Sequence, residues 1–385
     1  MISDVKPHYN PLEPDTLLNP YPIYKKLREE FPIFWHEQMK SWVLTRHDDC
    51  MYVLRNSNLF ARTRGEVPKV KQNLQSLDPP ENVSLKSLMM RAFNSQDIED
   101  IRYRVRSVIE EQFKKNYRET EFDWMKEVSA PLSLTLTSIL LGVEEPDLDL
   151  YVEISDAIAL QMDSGLSPEN FEPGQKAREK LNGLADTWFA SEGNTGILPY
   201  IKKNSQKANV PMHYIRNTTG TMFNASFGTL YAIFGNVLLT LLDNPSVLEQ
   251  FKNEDLIDSG IDELIRFDGP AQGTSRFATQ TLTLRDTVIK EGDIVLTLLA
   301  AANRDPEAFP NPDEIILDRK KNKHLGFGWG PHSCVGTIFG KLAVRELVLS
   351  LLYSSNSLKL VRTPTRRKTA TVRCIDKLPV TFLDK

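Results

Sequence analysis

The chain has 385 residues, of which 41% are hydrophobic and 25% charged, and its formal net charge at pH 7 is -4. This composition is typical of a folded protein with a large core, and it excludes a disordered chain or a strongly basic nucleic-acid binder. Three cysteines, Cys50, Cys334 and Cys374, do not suit a disulfide framework and favour a reducing, cytoplasmic environment. Residues 1–27 show neither a signal-peptide pattern nor an apolar anchor, so we expect no export and no membrane attachment.

The predicted elements begin with a small β-region. A helix is expected at Pro22–Glu30, and strands are expected at Ile33–His36 and Ser41–Thr45. From about Asp97 to Leu242, apolar residues recur at a spacing of three to four, which predicts a helical body.

The most unusual segment is Asn217–Leu242, which contains no charged residue. As a helix it would be about 39 Å long at ~1.5 Å per residue, which is enough to cross a domain. A membrane span is the competing interpretation, but the segment carries Asn224, Asn236, several Thr and three Gly, and it lacks an aromatic belt. We therefore predict a buried central helix.

The carboxyl-terminal part returns to a mixed pattern. After Pro245 we expect two helices, strand-like segments at Ser275–Leu284 and Asp293–Leu298, and a Pro- and Asn-rich stretch at Asn303–Asn322. A last helix is predicted from about Val335 to Tyr353, with strands after it. No repeat or linker divides the chain, so we predict one domain over residues 1–385 that is mainly α with a minor β portion. Its β-rich parts are placed at about 31–60, 275–300 and the terminal strands, and its helical body at about 80–270 and 335–353.

The most specific motif is FGWGPHSCVG, at Phe327–Gly336. Its Gly and Pro residues predict a constrained loop that presents Cys334 at the start of a helix. The positive end of a helix dipole lowers a thiol pKa and favours the thiolate that binds metals. The alternative is that Cys334 is an ordinary buried residue.

This motif resembles the cysteine loop of the cytochrome P450 family, FGxGxHxCxG, and the likeness extends over nearly the whole chain. The resemblance implies the cytochrome P450 fold, in which a long oxygen-binding helix lies over a Cys-ligated haem b. It makes Cys334 the proximal ligand of the iron. The matching positions are Phe327, Gly328, Gly330, His332, Cys334 and Gly336.

A second family pattern, ExxR, occurs at Glu263 and Arg266. On a helix this spacing puts both side chains on one face, so a surface ion pair is the simplest alternative. The resemblance implies a structural role for this pair, with Arg319 as a third partner.

By the same resemblance, the central helix places Ala225 against the haem and Thr229 beside the oxygen. Position 228 is Gly, where the family usually carries an acid that relays protons. Protons are then expected to arrive through water, Ser226 or polar groups of the substrate. The alternative is that Thr229 simply bonds a carbonyl of its own helix.

The resemblance also implies contacts to the haem propionates. His332 and Arg276 match family positions that hold these carboxylates by charge-assisted hydrogen bonds. Two other family positions, usually His and Arg, are occupied here by Asn82 and Lys86, so we expect weaker binding on that side.

The function implied is that of a monooxygenase that hydroxylates, epoxidises or desaturates a small organic substrate, in secondary metabolism. Electrons would come from a ferredoxin or flavodoxin, and a carrier protein is a further candidate partner. Because Gly228 replaces the acid, peroxide-driven, coupling or rearrangement chemistry is an alternative, and a non-catalytic haem or ligand-binding protein is another.

The resemblance also suggests a basic docking surface and five segments of pocket wall. The surface comprises Lys86, Arg91, Lys320, Lys321, Lys323 and Lys341, and the segments are roughly Arg62–Leu74, Met162–Gly174, Met222–Thr229, Pro270–Thr274 and Thr369–Val372.

Overall fold

The structure is a computed structural model that describes residues 7–354 and 357–383. Helices form most of the described chain, as the sequence predicts. They are α1 (Pro14–Leu18), α2 (Tyr21–Glu30), α3 (His47–Arg55), α4 (Glu81–Asn94), α5 (Ile98–Asn116), α6 (Ala130–Leu141), α7 (Leu148–Met162), α8 (Phe171–Ala190), α9 (Ile197–Asn204), α10 (Met212–Asp243), α11 (Pro245–Gln250), α12 (Ile257–Asp268), α13 (Leu299–Ala302) and α14 (Thr337–Tyr353).

The minor β portion is also present. Its strands are β1 (Ile33–His36), β2 (Ser41–Leu44), β3 (Phe60–Ala61), β4 (Phe122–Asp123), β5 (Thr274–Ala278), β6 (Leu282–Leu284), β7 (Thr287–Ile289), β8 (Ile294–Thr297), β9 (Ser357–Leu360), β10 (Thr365–Arg366), β11 (Ile375–Lys377) and β12 (Pro379–Leu383). The predicted Ser275–Leu284 strand is divided between β5 and β6, and β7 lies outside every predicted strand.

Five strands form a sheet in the order β1-β2-β8-β5-β3. The β1–β2 hairpin pairs Trp35 with Trp42, and β2 runs parallel to β8. At the other edge, β3 pairs antiparallel with β5, with Phe60 opposite Ala278 and Ala61 opposite Phe277. This register places Arg62, the residue after β3, next to Arg276 on β5.

Helix α10 crosses the helical body and packs against α6, α7, α8, α12 and α14. It is long and apolar enough to span a membrane, but 67% of its most apolar window is buried in the protein. Its largest buried side chains are Phe223, Phe227 and Phe234. The helix is therefore an element of the core, as the sequence predicts.

Gly235 lets α10 approach the turn before α6. A Cβ atom at this position would collide with the sulfur of Met125, which is itself fully buried. Close packing here fixes the height of α10 relative to its neighbours. The middle of the helix, around Thr229, is positioned by these contacts.

Candidate active site

The Cys334 loop is closed by its own backbone. The amide of Cys334 donates to the carbonyl of Phe327 at 2.9 Å, and the amide of Gly328 donates to Leu325 at 2.8 Å. Gly328 and Gly330 have φ values of 65° and 71°, a region that favours glycine. A Cβ atom at Gly330 would also collide with the backbone of Leu54 on α3. The loop thus requires its glycines, and it presents an exposed Cys334 while Cys50 and Cys374 are buried.

Several groups around the thiol favour its ionised form. The Gly336 backbone, the Thr337 hydroxyl and the charge of Lys86 all lower the pKa of Cys334. Desolvation by the surrounding protein is nevertheless the largest effect, and it raises the pKa above the ordinary value. The expectation of a lowered pKa is therefore wrong for the protein alone. Helix α14 begins at Thr337, three residues after the thiol, and the bonds from Gly336 and Thr337 at its start do not outweigh the desolvation.

Lys86 reaches the same loop from α4. Its ammonium donates to the carbonyl oxygens of Pro331 and Ser333 at 2.7 and 3.0 Å, and to the Ser333 hydroxyl at 2.9 Å. The side chain predicted to meet a propionate is thus bonded to the cysteine loop.

Glu263, Arg266 and Arg319 lie together in the interior. Arg266 donates to both carboxylate oxygens of Glu263 at 2.8 Å, and Arg319 adds bonds at 3.1 and 3.0 Å. Burial tends to raise the pKa of Glu263, but the bonds from the two guanidinium groups hold it below its ordinary value. Arg266 also donates to the carbonyls of Asn303 and Pro312. The network joins α12 to the irregular segment that leads to the Cys334 loop.

The middle of α10 exposes one narrow strip. Ala225 and Thr229, one turn apart, are exposed although Phe227 and Leu230 beside them are buried. The Thr229 hydroxyl donates to the Ala225 carbonyl at 2.6 Å, which is the local bond that the alternative interpretation expects. Neighbouring elements therefore leave this strip of α10 uncovered.

The other predicted proton-relay group points elsewhere. The Ser226 hydroxyl lies 3.0 Å from the hydroxyl of Thr137 on α6. Position 228 faces α7, because a Cβ atom there would lie 3.5 Å from the Ser155 hydroxyl. Thr229 and Ser226 thus lie on different faces of α10.

Arg276 on β5 lies beside a second guanidinium group, that of Arg62. This guanidinium is 3% exposed and donates to Thr274 Oγ1 at 3.1 Å and Ser275 O at 2.8 Å. It forms no ion pair within the described part of the chain. Arg62 donates to the same Thr274 hydroxyl at 3.1 Å. Desolvation, followed by repulsion from Arg62, lowers the pKa of Arg276 to about 9. The Asp78 carboxylate partly offsets this effect. Because no carboxylate bonds the Arg276 guanidinium directly among the described residues, the position can still take an anionic ligand.

The predicted residues His332 and Asn82 have different surroundings. His332 Nε2 is 2.7 Å from Asp78 Oδ1, and Asp78 also accepts from the amide of Arg62 at 2.8 Å. Asn82 is 2% exposed, and its Nδ2 atom has no hydrogen-bond partner among the described residues. Arg62 and Asp78 were not predicted as site residues. No motif in the sequence marks either residue, and Arg62 comes to lie beside Arg276 only through the pairing of β3 with β5.

The loop and the helix match known proteins in sequence as well as in shape. A sequence model described as Cytochrome P450 matches residues 175–361. The cytochrome P450 monooxygenase PikC of Streptomyces venezuelae is 27% identical, and the alignment covers 91% of this chain and 87% of PikC. The chain belongs to the cytochrome P450 family. It is an oxidoreductase of the monooxygenase type, and its cofactor is haem b.

Solved P450 structures superpose on almost the whole chain. Epothilone D-bound cytochrome P450epoK has a TM-score of 0.87 at 25% identity and covers 98% of this chain and 99% of its own. P450BioI, in complex with an acyl carrier protein ligated by hexadec-9Z-enoic acid, has a TM-score of 0.84 at 24% identity, with coverages of 96% and 99%. The predicted fold class is therefore confirmed.

The side chains present fit haem b. An exposed cysteine such as Cys334 can supply the thiolate that ligates haem iron in this family. The unpaired Arg276 guanidinium and the unpaired Asn82 Nδ2 suit the carboxylate side chains of the cofactor. The exposed strip at Ala225 and Thr229 leaves space on α10.

Proposed function

We propose that this P450 hydroxylates, epoxidises or desaturates a small organic molecule in secondary metabolism, with Cys334 as the iron ligand. The observation that carries the proposal is the exposed thiol, held by a loop that needs two left-handed glycines. Bound haem b supplies the activation of dioxygen and the transfer of an oxygen atom to the substrate. Arg276, His332 and Asn82, together with Arg62, would hold its carboxylates by charged or neutral hydrogen bonds.

Thr229 is the proposed proton-holding group. Because its O–H bond is directed at the Ala225 carbonyl, the lone pairs of Oγ1 are available to accept a hydrogen bond from water. The exposed strip admits that water. Ser226 is a weaker candidate for a relay, since its hydroxyl is bonded to Thr137 on the α6 side. Phe327, Gly328 and Gly336 would line the cofactor as part of the loop.

A second candidate function rests on Gly228. No carboxylate stands at that position, and its neighbour across the helix interface is the neutral Ser155. Proton supply would then limit the use of dioxygen, which favours peroxide-driven, coupling or rearrangement chemistry. Turnover with a ferredoxin and its reductase, compared with turnover on hydrogen peroxide, separates the two candidates. The non-catalytic alternative is not retained, because relatives such as PikC are monooxygenases.

The partners follow from this chemistry. The proposed electron donor is a ferredoxin or flavodoxin that docks on the basic residues near the Cys334 loop. The substrate could be presented by a carrier protein. This proposal is supported by the structure of P450BioI in complex with an acyl carrier protein. We place the protein in the cytoplasm, in a single domain over residues 1–385, and propose neither nucleic-acid nor membrane binding.

The decisive experiment compares the wild type with Cys334→Ser. The ferrous carbon-monoxide complex of the wild type should show the red-shifted Soret band of thiolate ligation, and Cys334→Ser should lose it while still folding. A compound library is then titrated to find ligands that change the haem spectrum, and these are assayed for oxidised products. A wild-type protein that binds haem without the red-shifted band would refute the assignment of Cys334.

A further inference from the structure

We propose that Lys86 is a positioning residue for the Cys334 loop and supplies a fixed positive charge beside the proposed ligand. The inference rests on the proposed ligation by Cys334. It departs from the family pattern used above, in which the cation at this position meets a propionate. The three hydrogen bonds that Lys86 gives to the loop carry it.

The geometry uses the whole ammonium group. A lysine has three N–H donors, and here they meet three acceptors, namely two carbonyls and one hydroxyl. The carbonyls belong to Pro331 and Ser333, which flank His332 and directly precede Cys334. In this arrangement each donor of the ammonium group has an acceptor in the Cys334 loop. Hydrogen bonds from a charged donor are stronger than neutral ones, so Lys86 restrains the backbone that sets the sulfur position.

The helix that carries Lys86 is itself fixed. Leu85, Leu88 and Met89 on α4 are each at most 1% exposed, so the Lys86 backbone cannot follow a moving loop. From another side the loop meets α3, where Gly330 packs against the backbone of Leu54. The Cys334 loop is thus held between two helices, by close packing on one side and by a charged side chain on the other.

The charge has an electrostatic effect of its own. Lys86 is half-buried and bonds Pro331 and Ser333, so its charge is held beside Cys334. The same cation would withdraw electron density from a metal-bound thiolate, and it would favour addition of an electron at the metal centre. Removal of the charge should therefore lower the reduction potential of the holoenzyme.

The test compares Lys86→Gln with two single-charge controls in the holoenzyme. Arg91→Gln removes a cation from the same helix, but Arg91 is exposed and bonds only Ser87 within the described residues. Arg276→Gln removes a proposed propionate contact. We measure the haem content per chain, the loss of the red-shifted carbon-monoxide band in mild urea, the reduction potential, and amide hydrogen exchange over residues 327–336.

We expect Lys86→Gln to keep its haem but to lose the red-shifted band roughly tenfold faster or more, as the loss of charged hydrogen bonds implies. Its potential should fall and its loop amides should exchange faster. Arg91→Gln should match the wild type in all four measurements. Arg276→Gln should lose haem while its remaining haem keeps the normal band. Ser333→Ala, which removes one of the three acceptors, should change in the direction of Lys86→Gln by a smaller amount.

The opposite pattern would overturn the inference. If Lys86→Gln loses haem as Arg276→Gln does, with the remaining band and the loop exchange unchanged, Lys86 serves a propionate. If Lys86→Gln behaves as Arg91→Gln does, the hydrogen bonds from Lys86 do not position the Cys334 loop. Both results leave the wild-type band intact, so neither is confused with failure of the Cys334 assignment, in which the wild type itself lacks that band.

Discussion

Gly228 on α10 faces Ser155 on α7, since a Cβ atom at position 228 would lie 3.5 Å from the Ser155 hydroxyl. Apart from its two chain neighbours and the nearby backbone of α10, no other described atom lies within 4 Å of that Cβ position. Ser155 is 5% exposed, so the contact is inside the protein. The interface therefore has room for a side chain directly before Thr229, at the position where the family usually carries an acid.

Gly228→Asp should improve proton supply. A positioned proton donor contributes about 10²–10⁴-fold to a rate, and we expect a gain near the lower end because the Ser155 hydroxyl must reorient to bond the new carboxylate. The measurement is the ratio of product to released hydrogen peroxide, with a ligand found by titration. Gly228→Ala fills the space without a carboxylate and should leave the ratio unchanged. An equal gain in both variants would show that space, and not proton supply, limits the reaction.

Glu263→Gln should destabilise the protein strongly. The carboxylate and Arg266 are both fully buried, and breaking one partner of a buried pair costs about 3–5 kcal/mol because a charge is left uncompensated. The free energy of unfolding in urea, and the haem content after expression, should both fall. Asp258→Asn is the matched control, since Asp258 pairs with Arg345 at the surface and its loss should cost about 1 kcal/mol or less. A similar small loss for both would show that the buried network is not structural.

Much of the site was visible in the sequence, because local rules determine it. The constrained Cys334 loop could be predicted from its glycine and proline residues alone. The absence of charge around Thr229 predicted a buried central helix, which the structure contains. What could not be predicted depends on tertiary placement. Lys86 bonds Pro331, 245 positions away in sequence, only because α4 packs beside the loop. The raised pKa of Cys334 likewise depends on desolvation by the folded protein, which the motif alone does not reveal.

Asp163→Asn should gain stability relative to the wild type as the pH rises. Asp163 follows α7 and accepts from the amides of Ala370 and Thr371 and from the Thr371 hydroxyl. Burial raises its pKa despite these bonds. A raised folded-state pKa means that folding favours the protonated form, so stability is fully present below the unfolded value and is lost as pH rises. An amide cannot ionise and so avoids that loss. Its single oxygen can still accept from Thr371, but its NH2 group leaves the Ala370 amide without an acceptor.

The measurement is the melting temperature of wild type and Asp163→Asn between pH 4 and pH 8. The variant's advantage should be largest near pH 8 and should shrink as the pH falls toward the ordinary Asp value of about 3.9. Asp268→Asn is the contrast, because burial tends to raise the pKa of Asp268 but the charges of Arg373 and Arg366 hold it below its ordinary value. It should lower the melting temperature at neutral pH. A pH-independent difference for Asp163→Asn would contradict the role of its ionisation.

Thr229→Ala tests the proposed proton-holding hydroxyl. The substitution removes Oγ1 from the exposed strip but leaves the helix bonds intact, because the Thr229 hydroxyl bonds only the Ala225 carbonyl of its own helix. We expect an unchanged carbon-monoxide spectrum and little change in stability. The ratio of product to hydrogen peroxide should fall roughly tenfold or more, the range of a lost proton donor. Thr229→Ser keeps the hydroxyl and should recover most of the ratio. If Thr229→Ala gives the wild-type ratio, the hydroxyl only bonds its own helix, and water alone delivers the proton.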